Sequence, residues 1–141
     1  GRVGPLVVGI TVNAGALPAG HWTRHPQVGG GRIVGEACHF IDLARHLVGH
    51  PITNVIVTTA LDRDRQHVED IAVLQLAFAD GSVATVQYLS NASRSFPKER
   101  VELFWDGKTA VIHNFRRGEG FAVPFGSRWG GRQDKGHRAL V

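Results

Sequence analysis

At 141 residues the chain is long enough to bury one hydrophobic core without disulfides or metals, and short for two typical domains. A composition of 43% hydrophobic and 20% charged residues excludes intrinsic disorder, no apolar run approaches membrane-spanning length, and the single cysteine, Cys38, excludes an internal disulfide and fits a reducing, cytoplasmic setting. The net charge of +4 raises the question of nucleic acid, but only Arg116 and Arg117 are adjacent and no tract interleaves basic residues with aromatics, so neither nucleic acid nor a membrane is an expected partner.

From Pro5 to Asn13, PLVVGITVN is rich in valine and isoleucine and predicts a strand. Ala14 to Gly31 follows as a long loop punctuated by Pro18, Pro26 and glycines, with Trp22 and two histidines inside it. A helix comes next. Ile33, Ala37, Phe40, Ile41, Ala44, Leu47 and Val48 recur at helical spacing, and Gly49 with Pro51 beyond it is a stop signal. The period then changes to two across five segments: Asn54–Leu61, Asp70–Ala79, Ser82–Asn91, Arg100–Asp106 and Lys108–Phe115. Asp80-Gly81 and Asp106-Gly107 predict tight hairpin turns between neighbours. The expected fold is α+β: an open, largely antiparallel six-stranded sheet with one main helix packed on one face. Within the third and fourth strands both faces are apolar: Ile71 and Val73 alternate with Ala72, Leu74, Leu76 and Phe78, while Val83 and Leu89 oppose Ala84, Val86 and Tyr88. One helix cannot cover both faces of such a sheet, so the open face is expected to meet another subunit or a further part of the protein. The chain contains no methionine, even at position 1, which points to a piece of a longer protein, and the glycine-rich tail ends in HRALV, which reads as the first turn of a helix.

The chemistry concentrates in VGGGRIVGEACHFIDLARHLVG, Val28 to Gly49. A phosphate loop is disfavoured, because Val34 stands where a dinucleotide fingerprint has its third glycine and no Gly-Lys-Ser/Thr follows. A metal site has six candidate ligands in His21, His25, Cys38, His39, His46 and His50, but no CxxC or HExxH spacing, so no metal is expected. As a catalytic helix, the segment sets Gly35, His39, Asp42 and His46 on one stripe beside the apolar one, with His39 near the Trp-containing loop. Spacing alone leaves His39 open between a packing role and proton transfer.

The same block resembles the signature of the Gfo/Idh/MocA oxidoreductases, the family of glucose–fructose oxidoreductase and inositol dehydrogenase. That signature is GGG, three residues, Asp, three residues, His, two residues, Asp, and is often preceded by a Trp and a polar stretch ending in Pro, as in HWTRHPQVGGG. QDKGH near the end resembles the start of that domain's returning helix. The resemblance implies the family's C-terminal substrate-binding and oligomerisation domain over 1–141, beside an N-terminal Rossmann domain that binds NAD or NADP. It implies hydride transfer to or from a sugar- or cyclitol-like alcohol, and homo-oligomers formed through the open sheet face. Residue by residue, the motif histidine falls on His39 and the later aspartate on Asp42, whereas the motif's first aspartate falls on Gly35. His39 is the expected catalytic residue, with Trp22, Arg32, Glu36 and Asp42 as expected substrate contacts. Trp22 as a loop anchor, and Arg32 and Glu36 as a solvated helix start, are the plain alternatives. Glu36 lies about 100° round an α-helix from position 35 and does not simply replace the lost acid. A non-catalytic assembly or ligand-binding domain derived from the family is the other reading of that loss.

Overall fold

The computed structural model describes residues 1–18, 20–22, 27–28, 30–61, 64, 67–124 and 128–130. His25, Pro26 and Gly29 of the loop, and the QDKGH and HRALV segments of the tail, lie outside the described residues.

The chain runs through β1 (Val7–Asn13), a π-helical turn (Ile33–Ala37) continuous with α1 (Cys38–Val48), then β2 (Ile52–Leu61), β3 (His67–Phe78), β4 (Val83–Leu89), β5 (Glu99–Trp105), β6 (Lys108–His113), β7 (Arg117–Phe121) and β8 (Arg128–Gly130). The strands form one open sheet in the order β2-β3-β4-β1-β5-β6-β7-β8. The α+β class and the single main helix are as expected, but the sheet differs from the expected six-stranded, largely antiparallel one in two respects. Among the described residues it has eight strands, and it is mixed: β1 lies parallel to β4 and antiparallel to β5.

Both differences have physical causes. The helix carries the chain away from β1 to the far edge of its half of the sheet. Two antiparallel steps, β2 to β3 and β3 to β4, then return it beside β1 running in the same direction. A period of two shows that a segment is a strand; it does not show which strand becomes its neighbour. The two added strands are short and obscured by glycine, which weakens a strand pattern. Gly118 instead accepts the indole of Trp129 from β8 across the pair: a Cβ placed at Gly118 would stand 1.9 Å from Trp129. Among the expected hairpins, Asp106 and Gly107 form a two-residue turn with φ of 43° and 71°, which suits Asp-Gly. The β3–β4 connection is longer, Ala79 to Ser82, with Gly81 at φ 83°.

One face of the sheet carries the core. Val8, Ile10 and Val12 of β1 lie between Ala84, Val86 and Tyr88 of β4 and Val101 of β5, and the row continues into Ala72, Leu74, Leu76 and Phe78 of β3. Ala37, Ala44 and Val48 press the helical segment onto it, small residues allowing close approach. The helix stops at Gly49, whose left-handed φ of 77° lets its N–H bond back to Arg45 O. Arg2 ties this end down by donating to Val48 O, Ser82 Oγ and Asp80 Oδ2. On the opposite face Val83, Val7 and Phe104 form a cross-strand row at 45%, 44% and 41% exposure, mixed with polar Thr85, Gln87 and Arg100.

The two faces of β1 therefore differ in what they contribute. Ile10→Ala removes a side chain that is 1% exposed and flanked by Val86 and Val101, and is expected to cost about 2–5 kcal/mol in urea unfolding. Val7→Ala, one strand pleat away on the open face, is expected to change stability by about 0.5 kcal/mol or less.

Candidate functional site

The site is organised at the start of the helical segment. Arg32 precedes the π-helical turn and is buried, with only 3% of its side chain exposed. Its guanidinium donates through Nη1 to Gly15 O at 2.6 Å and through Nη2 to Ala14 O at 2.9 Å, so it clasps the first residues of the loop that leaves β1. It also reaches Glu36 Oε2 at 3.3 Å and Asp70 of β3 at 3.8 Å, and its plane stands over the Tyr88 ring, 5.5 Å from the centroid. A bare guanidinium would not survive such burial; two carboxylates, two carbonyls and an aromatic face make it tolerable. Tyr88, wholly buried in β4, donates its hydroxyl to the same Glu36 oxygen.

Glu36 is thereby fixed rather than solvated. Partial burial pushes its pKa up, but the hydrogen bonds from Tyr88 and Arg32 and the charges of Arg32 and Lys98 outweigh this and hold it below its ordinary value. Burial, together with the bond to Glu36, pushes the Tyr88 phenol above its ordinary range, so it remains a donor. Both hydrogen bonds to Glu36 end on Oε2, leaving Oε1 without a hydrogen bond among the described residues. Glu36 and His39 line one hollow of ≈ 380 Å³ together with Arg32, Val12, Ala14, Phe40, Lys98 and Glu99. Its wall is half apolar, from Val12, Ala14 and Phe40, and half ionic. Lys98 is largely exposed and pairs with Glu99 at 3.5 Å.

The structure thus brings together three of the five expected site residues: Arg32, Glu36 and His39. Arg32 is a buried clasp rather than part of a solvated helix start, and its guanidinium is engaged by protein groups. Gly35 and Glu36 both lie in the π-helical turn, and Glu36 reaches the hollow from beside the motif's acid position rather than from it. Asp42 lies about 4.5 Å further along the helix axis than His39 and opens onto a different hollow of ≈ 450 Å³, with Arg45, His46, Gly49, His50 and Pro51. Trp22 is 62% exposed, stacks on His21 with ring centroids 6.0 Å apart, and is not among the residues lining the Glu36 hollow. Sequence reasoning did not find Tyr88, Asp70, Lys98 or Glu99 as parts of this site. Tyr88 and Asp70 sit inside apolar strand patterns, where a polar tip on the buried face is the one available signal. Among the described residues no three His, Cys, Asp or Glu side chains gather as a metal site, and no helix is long and apolar enough to cross a membrane.

The helix start also offers no cradle to a dinucleotide. A pyrophosphate needs free backbone N–H groups and an exposed cation, whereas the described residues of this turn carry the Glu36 carboxylate and a buried Arg32 whose two Nη atoms are bonded to Ala14, Gly15 and Glu36.

The described residues thus form a strand–loop–helix followed by an open sheet, with a histidine and a carboxylate sharing a hollow at the helix start. The chain belongs to the GFO/IDH/MocA family, whose C-terminal domain model matches residues 1–113. Comparison with curated protein sequences found no match. Among solved structures, the fold is similar to aldose–aldose oxidoreductase from Caulobacter crescentus in complex with glycerol (21% identity, TM-score 0.72, 94% of this chain). It is also similar to UDP-N-acetylglucosamine 3-dehydrogenase from Acidithiobacillus ferrooxidans (18%, 0.68, 92%) and to levoglucosan dehydrogenase in complex with NADH (22%, 0.65, 85%). The chain spans 42%, 40% and 36% of the lengths of those proteins, respectively.

The depressed pKa of Glu36 has a consequence for stability. Its ionised form is favoured by folding, so its contribution is present above the unfolded value near 4.5 and is lost as pH falls through the lower folded value. Urea unfolding of the protein against Glu36→Gln is expected to show a stability difference at pH 6 that shrinks steadily on acidification below about pH 4.5.

Proposed function

We propose that these 141 residues are the substrate-binding and oligomerisation domain of an NAD(P)-dependent oxidoreductase acting on a sugar- or cyclitol-like alcohol. The observation that carries the reading is the Glu36–His39 hollow, set at the start of the motif helix in a domain of this family. The dinucleotide belongs to an N-terminal Rossmann domain of the same protein; a relative of this fold is known in complex with NADH, and this helix start does not fit a pyrophosphate. NAD and NADP fit the reading equally.

What this chain contributes is the handling of the alcohol. An apolar wall of Val12, Ala14 and Phe40 suits the C–H face of a ring, while the ionic side offers partners to its hydroxyls. His39 is exposed at the hollow and takes the proton of the reacting hydroxyl in oxidation, or returns it in reduction; an imidazole is suited to this near neutral pH. Neighbours named for an aldose, a UDP-sugar and levoglucosan support a carbohydrate-like substrate class. The half-exposed row Val83–Val7–Phe104 on the open sheet face supports a homo-oligomer formed there.

The test is His39→Ala in the full-length protein, assayed for nicotinamide reduction with glycerol, glucose and myo-inositol. We expect kcat to fall by about 10²–10⁴-fold, the usual contribution of a positioned acid–base group. Wild-type turnover in His39→Ala would instead support a non-catalytic or differently catalysed domain.

A further inference from the structure

Gly35 removes the acid that the family motif places four residues before its histidine, yet the hollow is not without a carboxylate. Glu36 stands in it, and its surroundings are those of a group held for use. One oxygen, Oε2, is saturated from behind by Tyr88 and Arg32. The other, Oε1, has no hydrogen bond among the described residues, and the side chain is 41% exposed on the hollow it shares with His39. A carboxylate serving only as a counter-ion to Arg32 would not need Tyr88, since Asp70 and two loop carbonyls already surround that guanidinium. The phenol donates to Glu36 from the fully buried centre of the sheet, and its oxygen also interacts with Arg32.

We propose that Glu36 Oε1 is the acceptor for a hydroxyl of the bound alcohol beside His39, and that Tyr88 is the positioning residue that fixes it. The inference rests on the functional reading above. It assigns the carboxylate role to the residue next to the vacant motif position, and it names a neutral hydroxyl donor as what Oε1 recognises. The groups facing Glu36 are Arg32 and His39 on its own helical segment, Tyr88 on β4, Lys98 and Glu99 at the start of β5, and Asp70 on β3 behind Arg32. Arg32 and Lys98 favour the ionised acceptor; Glu99 is paired with Lys98. Tyr88→Phe keeps the ring under Arg32 and removes the hydroxyl with its bonds to Glu36 and Arg32, so it separates positioning from packing of the ring.

The experiment uses the full-length protein with whichever of glycerol, glucose or myo-inositol it oxidises fastest, comparing Glu36→Gln, Glu36→Asp, Tyr88→Phe and His39→Ala across pH. Glu36→Gln is expected to lower kcat/KM by about ten- to a hundredfold, the range for a hydrogen bond to a charged group. Glu36→Asp should recover part of that loss. Tyr88→Phe should move the acid limb of the kcat/KM profile to higher pH, and difference infrared spectroscopy against Glu36→Gln should show the Glu36 carboxylate protonating at higher pH than in the unmodified protein. A purely structural Tyr88 would leave the kcat/KM limb in place while the carboxylate titration moves with the lost hydrogen bond, which would overturn its positioning role. Unchanged kcat/KM in Glu36→Gln, with His39→Ala inactive, would overturn the acceptor role while leaving the functional reading standing. An active His39→Ala would overturn that reading itself.

Discussion

The buried guanidinium of Arg32 is the constraint on which the rest of this domain's organisation depends. It joins four parts of the chain that are far apart in sequence: the carbonyls of Ala14 and Gly15 after β1, Glu36 in the π-helical turn, Asp70 on β3 and the ring of Tyr88 on β4. Burying an arginine is costly unless its donors find acceptors, so the loop, the turn and both strands must be in place together. That requirement converts a glycine-rich, locally underdetermined stretch into a defined helix start. It also holds Glu36 at the hollow, one residue beyond the position where the resembled motif has its acid.

Much of the fold is legible in the sequence because it depends on patterns local to each element. Gly49 with Pro51 ends the helix, Asp106-Gly107 turns β5 into β6, and alternation marks β1 to β6. What is not legible is relational. The parallel β1–β4 pair arises from where the crossover lands, and β7 and β8 pair with Trp129 packed against Gly118, a contact that no period of two encodes. The site divides in the same way. His39, Glu36 and Arg32 stand in one contiguous motif and are visible in it, whereas Asp70 and Tyr88 come from strands 34 and 52 residues beyond Glu36 and look like ordinary members of an apolar face. The stripe of His39, Asp42 and His46 lies within α1, whereas Gly35 falls in the π-helical turn before it, and Asp42 lines a different hollow from His39.

This arrangement reframes the missing motif acid. A carboxylate is defined for chemistry by where its oxygens point and what holds them, not by its ordinal position in a signature. In this chain the π-helical turn and the Arg32–Tyr88 support put a glutamate oxygen at the hollow, while the open sheet face leaves the opposite side of the same strands free for a partner. Core, clasp and candidate chemistry therefore lie on one side of the sheet, and the proposed assembly surface on the other.

The most direct test is a crystal structure of the full-length protein with a nicotinamide cofactor and a bound alcohol. The substrate is expected in the hollow between Val12, Phe40 and Lys98, with hydroxyls within hydrogen-bond distance of His39 and of Glu36 Oε1. A substrate seated instead against Asp42, His46 and His50, with Glu36 out of reach, would contradict it.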